Sequence, residues 1–151
     1  MKRGFTIIEL LIVIAVIAIL IGIALPRFRG MQEEGNIAKA KGELRTLQTA
    51  VESYYIHNNN AYPADIDAAL TGATPNIIGA VSPDDPFNGT NKYGYAVNSM
   101  PPATANYYVI YSVGPAGNGA ATVNTSGVVS EGTTGASCIY VTNGSSKDVQ
   151  P

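Results

Sequence analysis

The chain has 151 residues, of which 46% are apolar and 13% are charged, and its formal net charge is −2. This length suits one domain of ordinary size and not two. After residue 45 the only lysine or arginine residues are Lys92 and Lys147, so the C-terminal half lacks a basic patch and no direct nucleic-acid partner is expected. Cys138 is the only cysteine, which excludes an intramolecular disulfide and a cysteine-rich metal site. A small, buried apolar residue in a strand is expected there.

The N-terminus combines a short basic prefix, Met1–Gly4, with a long apolar run, Phe5–Leu25. The residues of the run that are not strongly apolar are Thr6, Glu9 and Gly22. As an α-helix the run would extend about 31 Å, which matches the hydrocarbon thickness of a bilayer. Because the basic prefix precedes it, the positive-inside tendency predicts a single membrane pass with the N-terminus in the cytoplasm.

Two other interpretations of this run were weighed, a buried core helix and a cleaved secretory signal peptide. The uncharged stretch from Leu10 to Leu25 is hard to bury in a domain of this size. A signal peptide would have a shorter apolar region followed by a small-x-small cleavage site, and no clean Ala-x-Ala follows Leu25.

A second helical segment is predicted after the apolar run. Pro26 is expected to kink the helix because it removes one backbone hydrogen bond. From Met31 to Asn58 apolar residues recur at spacings of three and four, which indicates one narrow stripe. The stripe consists of Ile37, Ala40, Leu44, Leu47, Val51 and Tyr54. The helix should stop at Asn58–Asn60, with Pro63 enforcing its end.

The remaining chain is rich in glycine, threonine, serine and asparagine, with one short helix expected at Ala64–Leu70. Strands are predicted where Val, Ile and Tyr concentrate, at Tyr93–Val97, Tyr107–Val113, Val128–Val129 and Ser137–Thr142. Asn118–Gly119 suits a tight connection between two of them. The pattern predicts an α+β fold in which a small antiparallel sheet packs on the second half of one long helix. Tyrosines are expected between sheet and helix, at positions 54, 55, 93, 95, 107, 108 and 111.

The segment Gly4–Leu10 closely resembles the cleavage and methylation motif of type IV prepilins and type II secretion pseudopilins. The resemblance implies that a prepilin peptidase cuts between Gly4 and Phe5 and that the new amine of Phe5 is methylated. It also implies a division into a cleaved leader (1–4), a transmembrane and filament-core helix (5–25), an amphipathic continuation (26–58) and a periplasmic or extracellular globular part (59–151), in a pilin-like fold.

Three further matches favour the G-type major pseudopilin of type II secretion. Ala50–Tyr54 with Asn60–Pro63 is similar to its helix end and Tyr-Pro turn, Asp85–Phe87 resembles its Asp-Pro-Trp segment, and Tyr111–Gly114 resembles its Tyr-Ser-Leu-Gly segment. The implied protein is a structural subunit of a pseudopilus that moves proteins across the outer membrane. It would polymerise with copies of itself and with minor pseudopilins or pilins, served by an inner-membrane platform and its ATPase.

Two alternatives to the pseudopilin remain at the level of sequence. One is a subunit of a long type IV pilus for adhesion, motility or DNA uptake. The other is a membrane-anchored binding module that never polymerises. For either filament, the subunit would wait in the lipid of the bacterial inner membrane before assembly into a periplasmic pseudopilus or an extracellular pilus.

Glu9 is the most informative candidate site residue. A carboxylate within a bilayer-length helix costs on the order of 3 kcal/mol at the membrane centre and less near the interface. It either lies close enough to the headgroups to reach water, or it pairs with the Phe5 amine of its own or a neighbouring subunit. Gly22 and Pro26 interrupt the helical pattern and would permit local unwinding, or a simple bend, during assembly.

A calcium site is the one cofactor that the resemblance raises. The G-type subfamily has an acidic calcium ligand after the segment that corresponds to Tyr111–Gly114, whereas this chain has Pro115 and Ala116. A weak calcium loop near Gly114 and Asn118 stays open. No catalytic residue is predicted, because the lone histidine, His57, has no partnered nucleophile in any recognisable motif.

Overall fold

The computed structural model describes residues 4–72, 82–99, 105–132 and 137–145. Two helices, α1 (Ile7–His57) and α2 (Ile66–Gly72), precede five strands. The strands are β1 (Gly94–Val97), β2 (Tyr108–Ser112), β3 (Ala121–Val123), β4 (Val129–Glu131) and β5 (Ile139–Thr142). One long N-terminal helix followed by small antiparallel sheets confirms the predicted pilin-like α+β fold. The chain divides into two compact units, Met1–Gly35 and Asn36–Pro151.

Helix α1 is continuous through the predicted break. Pro26 lies inside it, and helical structure extends through Gly22 and on past Met31. A proline in a helix interior costs about 3 kcal/mol, which a 51-residue helix rich in Ile, Leu and Ala can absorb, since such residues are mostly good helix formers. The interruption expected at Gly22 and Pro26 is therefore absent from the helix as observed.

The second half of α1 supplies one wall of the core of the second unit. Its buried residues are Ala40, Leu44, Leu47, Ala50 and Val51. Four of these belong to the predicted stripe, whereas Ile37 and Tyr54 at its two ends are only partly buried. The helix ends at His57, where Asn59 and Asn60 adopt φ angles of 54° and 57°. Asparagine tolerates this left-handed region better than most residues, so the asparagine run terminates the helix as predicted.

Two sheets form where one was predicted. The first has the order β1-β2-β5, and the second pairs β3 with β4, all antiparallel. Strand β3 was not predicted. Asn118–Gly119 lies between β2 and β3, which are not paired with each other, so its prediction as a tight strand connection is wrong. The turn that joins paired strands is Asn124–Gly127, where the Gly127 N–H donates to the Asn124 carbonyl at 3.0 Å.

Strand β2 is central because it is buried on both faces. Tyr108 and Ile110 belong to the core cluster that contains the helix residues, whereas Val109 belongs to a second cluster with residues of β3 and β4. Alternate residues of a strand point to opposite faces, so β2 joins the two clusters. Ser112, at its end, is completely buried and faces a polar site described below.

Candidate functional site

The N-terminus of α1 is closed by a reciprocal pair of polar residues. The backbone N–H and the hydroxyl of Thr6 both donate to Glu9 Oε2, at 2.9 and 2.8 Å, and the Glu9 N–H donates to Thr6 Oγ1 at 3.3 Å. Thr6 precedes the first helical residue, Ile7, so the pair is a capping box. The carboxylate also lies at the positive end of the helix dipole. Glu9 therefore has a structural role in the isolated subunit that its interpretation as a partner of Phe5 missed, although the spacing Thr6-x-x-Glu9 signals it.

The candidate processing residues lie just ahead of this cap. Gly4, Phe5 and Thr6 precede the helix, and the Phe5 side chain is 81% exposed. The Gly4–Phe5 bond is thus in non-helical, exposed backbone. The cap does not use the Phe5 nitrogen, so release of residues 1–4 would leave the Thr6–Glu9 contacts in place.

The first unit presents an apolar surface over its whole length. The large hydrophobic side chains from Ile7 to Leu25 are between 47% and 85% exposed. Helix α1 is long and apolar enough to cross a membrane by length and composition, and none of its most apolar window is buried. A Cβ placed at Gly22 would meet no atom within 4 Å, so nothing in the isolated chain explains that glycine.

A buried carboxylate fastens the loops at one end of the sheet. Asp85 is fully buried, and its Oδ1 accepts the Ser112 hydroxyl at 2.8 Å and the Phe87 N–H at 3.0 Å. Its Oδ2 accepts the Val113 N–H at 2.9 Å. Sequence reasoning treated this aspartate as a turn former, which accounts for the contact with Phe87 but not for the two contacts with β2 and the residue after it.

The neighbouring residue, Asp84, takes part in an exposed contact. Lys92 Nζ donates to Asp84 Oδ1 at 2.8 Å and also to the Ser82 carbonyl. The two successive aspartates therefore differ in environment: Asp84 is exposed and paired with an ammonium group, whereas Asp85 is buried and bound by neutral donors.

Comparison with known proteins bears on these features. The prokaryotic N-terminal methylation motif matches residues 1–25. The type II secretion system core protein G of Pectobacterium carotovorum is 25% identical over 122 residues, covering 77% of this chain and 78% of that protein. The type IV major pilin protein PilA of Myxococcus xanthus is 47% identical over 54 residues, or 36% of this chain and 24% of that protein. A fimbrial protein of Pseudomonas aeruginosa is 42% identical over 79 residues, covering 48% and 51%.

This chain belongs to the type IV pilin and pseudopilin family. The methylation motif covers the capped, exposed N-terminus described above. The chain spans about a quarter of the Myxococcus pilin and about half of the Pseudomonas fimbrial protein, but more than three quarters of core protein G. No solved structure matches the chain.

The calcium loop suggested for this family member does not fit the residues present. Gly114 begins a turn in which the Gly117 N–H donates to the Gly114 carbonyl at 2.9 Å. The nearby carboxylate is Asp85, and both of its oxygens already accept hydrogen bonds. In the described ranges no group of three His, Cys, Asp or Glu residues could hold a metal. The loop is fastened by Asp85 and by backbone contacts, among them Gly119 N–H to Val113 carbonyl at 2.9 Å.

Tyrosines of the sheet reach carboxylates of the helix. Tyr93 Oη donates to Glu43 Oε2 at 2.6 Å, and Tyr108 Oη donates to Glu52 Oε1 at 2.7 Å. Burial, and then the adjacent glutamate, raise the pKa of both phenols. Burial also raises the pKa of Tyr62 to about 12; its ring lies 5.0 Å from that of Tyr108.

The other predicted tyrosines and Cys138 divide between the two clusters. Tyr95 packs with the helix-side cluster as expected, whereas Tyr107 and Tyr111 pack against the cluster formed with β3 and β4, so their predicted position between sheet and helix is wrong. Cys138 is buried in that second cluster as predicted, and burial raises the pKa of its thiol to about 11. His57 is exposed, with Nδ1 2.7 Å from the Ser53 carbonyl.

Proposed function

We propose that this chain is a structural subunit of a type II secretion pseudopilus, which polymerises through its N-terminal helix and helps to move proteins across the outer membrane. The observation that carries a filament role is the exposed apolar segment of α1, which begins with one capped glutamate and is continuous with a helix that anchors a folded unit. Similarity to core protein G along most of both chains supports the pseudopilus.

Maturation would begin at the exposed backbone before α1. A prepilin peptidase cuts between Gly4 and Phe5, and the amine of Phe5 is methylated. Before assembly the helix lies in the inner membrane with its N-terminus cytoplasmic, because a helix satisfies its backbone groups internally in lipid. The globular part then lies outside the membrane, and minor pseudopilins, an assembly platform and an ATPase act on the subunit.

Assembly would replace the lipid around α1 by copies of the same helix. Thr6 engages Glu9 through Oε2, so Oε1 can accept the Phe5 amine of a neighbouring copy. Removing one partner of a buried ion pair costs about 3–5 kcal/mol, which makes this contact a check on correct docking. Gly22 and Pro26 would contribute by local unwinding or bending within the packed filament.

The test compares two substitutions of a glutamate on the same helix. We expect Glu9→Gln to reduce the polymer sheared from cells at least tenfold, with the membrane-inserted, cleaved subunit still present, because the neutral amide keeps the cap but loses the ion pair. Glu33→Gln, on the exposed second part of α1, is the matched control and should assemble normally. Equal assembly by both variants would favour a membrane-anchored binding module over a filament subunit.

A type IV pilus subunit is the second candidate. It is favoured by the higher identity of the pilin matches, 47% and 42%, over shorter segments. Deletion of the gene separates the two proposals. A pseudopilus predicts that exported proteins accumulate in the periplasm, whereas a pilus predicts loss of surface fibres with protein secretion unchanged.

A further inference from the structure

Four charged residues follow the apolar segment of α1 without pairing inside the chain. Arg27, Arg29, Glu33 and Glu34 are all exposed. In the described parts of the chain the salt bridges are Lys39–Glu43 and Lys92–Asp84. Arg29 and Glu33 have the i,i+4 spacing, but with the cation first, which is the weaker order on a helix. These side chains are therefore available to another molecule.

Helical geometry places two acids on one face of α1. The 25 positions between Glu9 and Glu34 correspond to about seven turns at 3.6 residues per turn. Arg29 lies five positions before Glu34, which is about 140° around the axis, so it points toward a different neighbour. Glu33 is about 100° from Glu34 and does not share the face of Glu9.

Each acid on this face has a cation a similar distance before it. Phe5, whose amine is created by the proposed cleavage, lies four positions before Glu9, and Arg29 lies five positions before Glu34. At 1.5 Å per residue these offsets are about 6 and 7.5 Å along the helix. One axial displacement therefore brings both acids of one copy level with both cations of the next.

We propose that α1 docks against a parallel second copy displaced by about 6–8 Å, with Glu34 of one copy paired with Arg29 of the other. The inference rests on the proposed filament function and adds a second ion pair to the one proposed at Glu9. Without a displacement, like charges would face each other, Glu9 against Glu9 and Glu34 against Glu34. The apolar residues from Leu10 to Leu25, exposed in the single chain, fill the contact between the two charged ends.

This arrangement also explains why the polymer would not close into a dimer. Each copy uses its acids toward one neighbour and its cations toward another, which is a head-to-tail contact. Such contacts extend into open helical filaments unless the rotation closes a ring. Two ion pairs at opposite ends of the apolar contact define the axial displacement more narrowly than apolar packing alone, which has no direction.

Charge reversal tests the pair. We expect Arg29→Glu and Glu34→Arg each to lower the amount of sheared polymer about tenfold, because attraction is replaced by repulsion at every contact, and the double reversal to restore it to within about twofold. Arg27→Glu and Glu33→Arg are the matched controls, with the same charge changes on the faces that the proposal leaves unpaired. Failure of the double reversal to recover, or equal losses in the controls, would overturn the proposal.

Cross-linking provides a readout of proximity. In a Cys138→Ser background, Arg29→Cys with Glu34→Cys should give a ladder of oligomers with a short bifunctional thiol reagent, whereas Arg27→Cys with Glu34→Cys should give little. A filament that forms normally but shows no difference between these two chains would refute the Arg29–Glu34 pair and leave the filament function intact. Absence of any polymer from the parent chain would instead refute both.

Discussion

Replacement of Asp85 by asparagine tests how the globular unit is fastened. The carboxylate accepts three hydrogen bonds, at 2.8, 2.9 and 3.0 Å, from Ser112, Val113 and Phe87. An asparagine keeps one carbonyl oxygen, but its amide nitrogen would face the Val113 N–H, donor against donor. Loss of a charge-assisted hydrogen bond and an unpaired buried N–H together should lower the free energy of unfolding by about 3 kcal/mol.

The assay is urea unfolding of the detergent-solubilised full chain, followed by the near-ultraviolet circular dichroism of its tyrosines. With a slope of about 1.5–2 kcal/mol per molar urea, the midpoint should fall by about 1.5–2 M. Asp84→Asn is the matched control, because it removes an exposed ion pair with Lys92 and should cost less than about 1 kcal/mol. Equal shifts for the two variants would refute the fastening role of Asp85.

Three other measurements test the packing of the second unit. Gly94→Ala should lower the free energy of unfolding by about 1–3 kcal/mol, since its Cβ would lie 2.2 Å from the Tyr111 ring; Gly42→Ala, with open space on the helix, should instead raise it by about 1 kcal/mol. The raised pKa of Tyr62, about 12, contributes stability that is present below about pH 10 and lost toward pH 12, which spectrophotometric titration of tyrosinate would detect. Cys138, buried and with a thiol pKa of about 11, should react with a thiol reagent far more slowly in buffer than in urea, and equal rates would contradict its burial.

Long-range periodicity made the helix predictable. The recurrence of Ala40, Leu44, Leu47 and Val51 reflects the packing of one helix face, and the asparagine run marks the helix end through its own backbone preference. Continuity at Pro26 could not be predicted, because the local cost of proline is offset by the helical preference of its neighbours on both sides.

Short strands and buried polar contacts were harder to predict. Strand β3 has three residues, too few to show an alternating pattern, and its pairing with β4 depends on tertiary packing. Asp85 has the sequence environment of a turn residue, and its burial depends on Ser112 and Val113, more than 25 positions away. By contrast, the Thr6–Glu9 cap is a local pattern that the sequence contains.

The most direct test of the central claim is mass spectrometry of the chain recovered from sheared polymer. We expect a mature chain that begins at Phe5, carries a methyl group on its N-terminal amine and retains the apolar segment through Leu25. A polymer-free cell envelope in which the chain still begins at Met1, or a mature chain that begins after Leu25, would contradict the claim that this helix is the core of a filament.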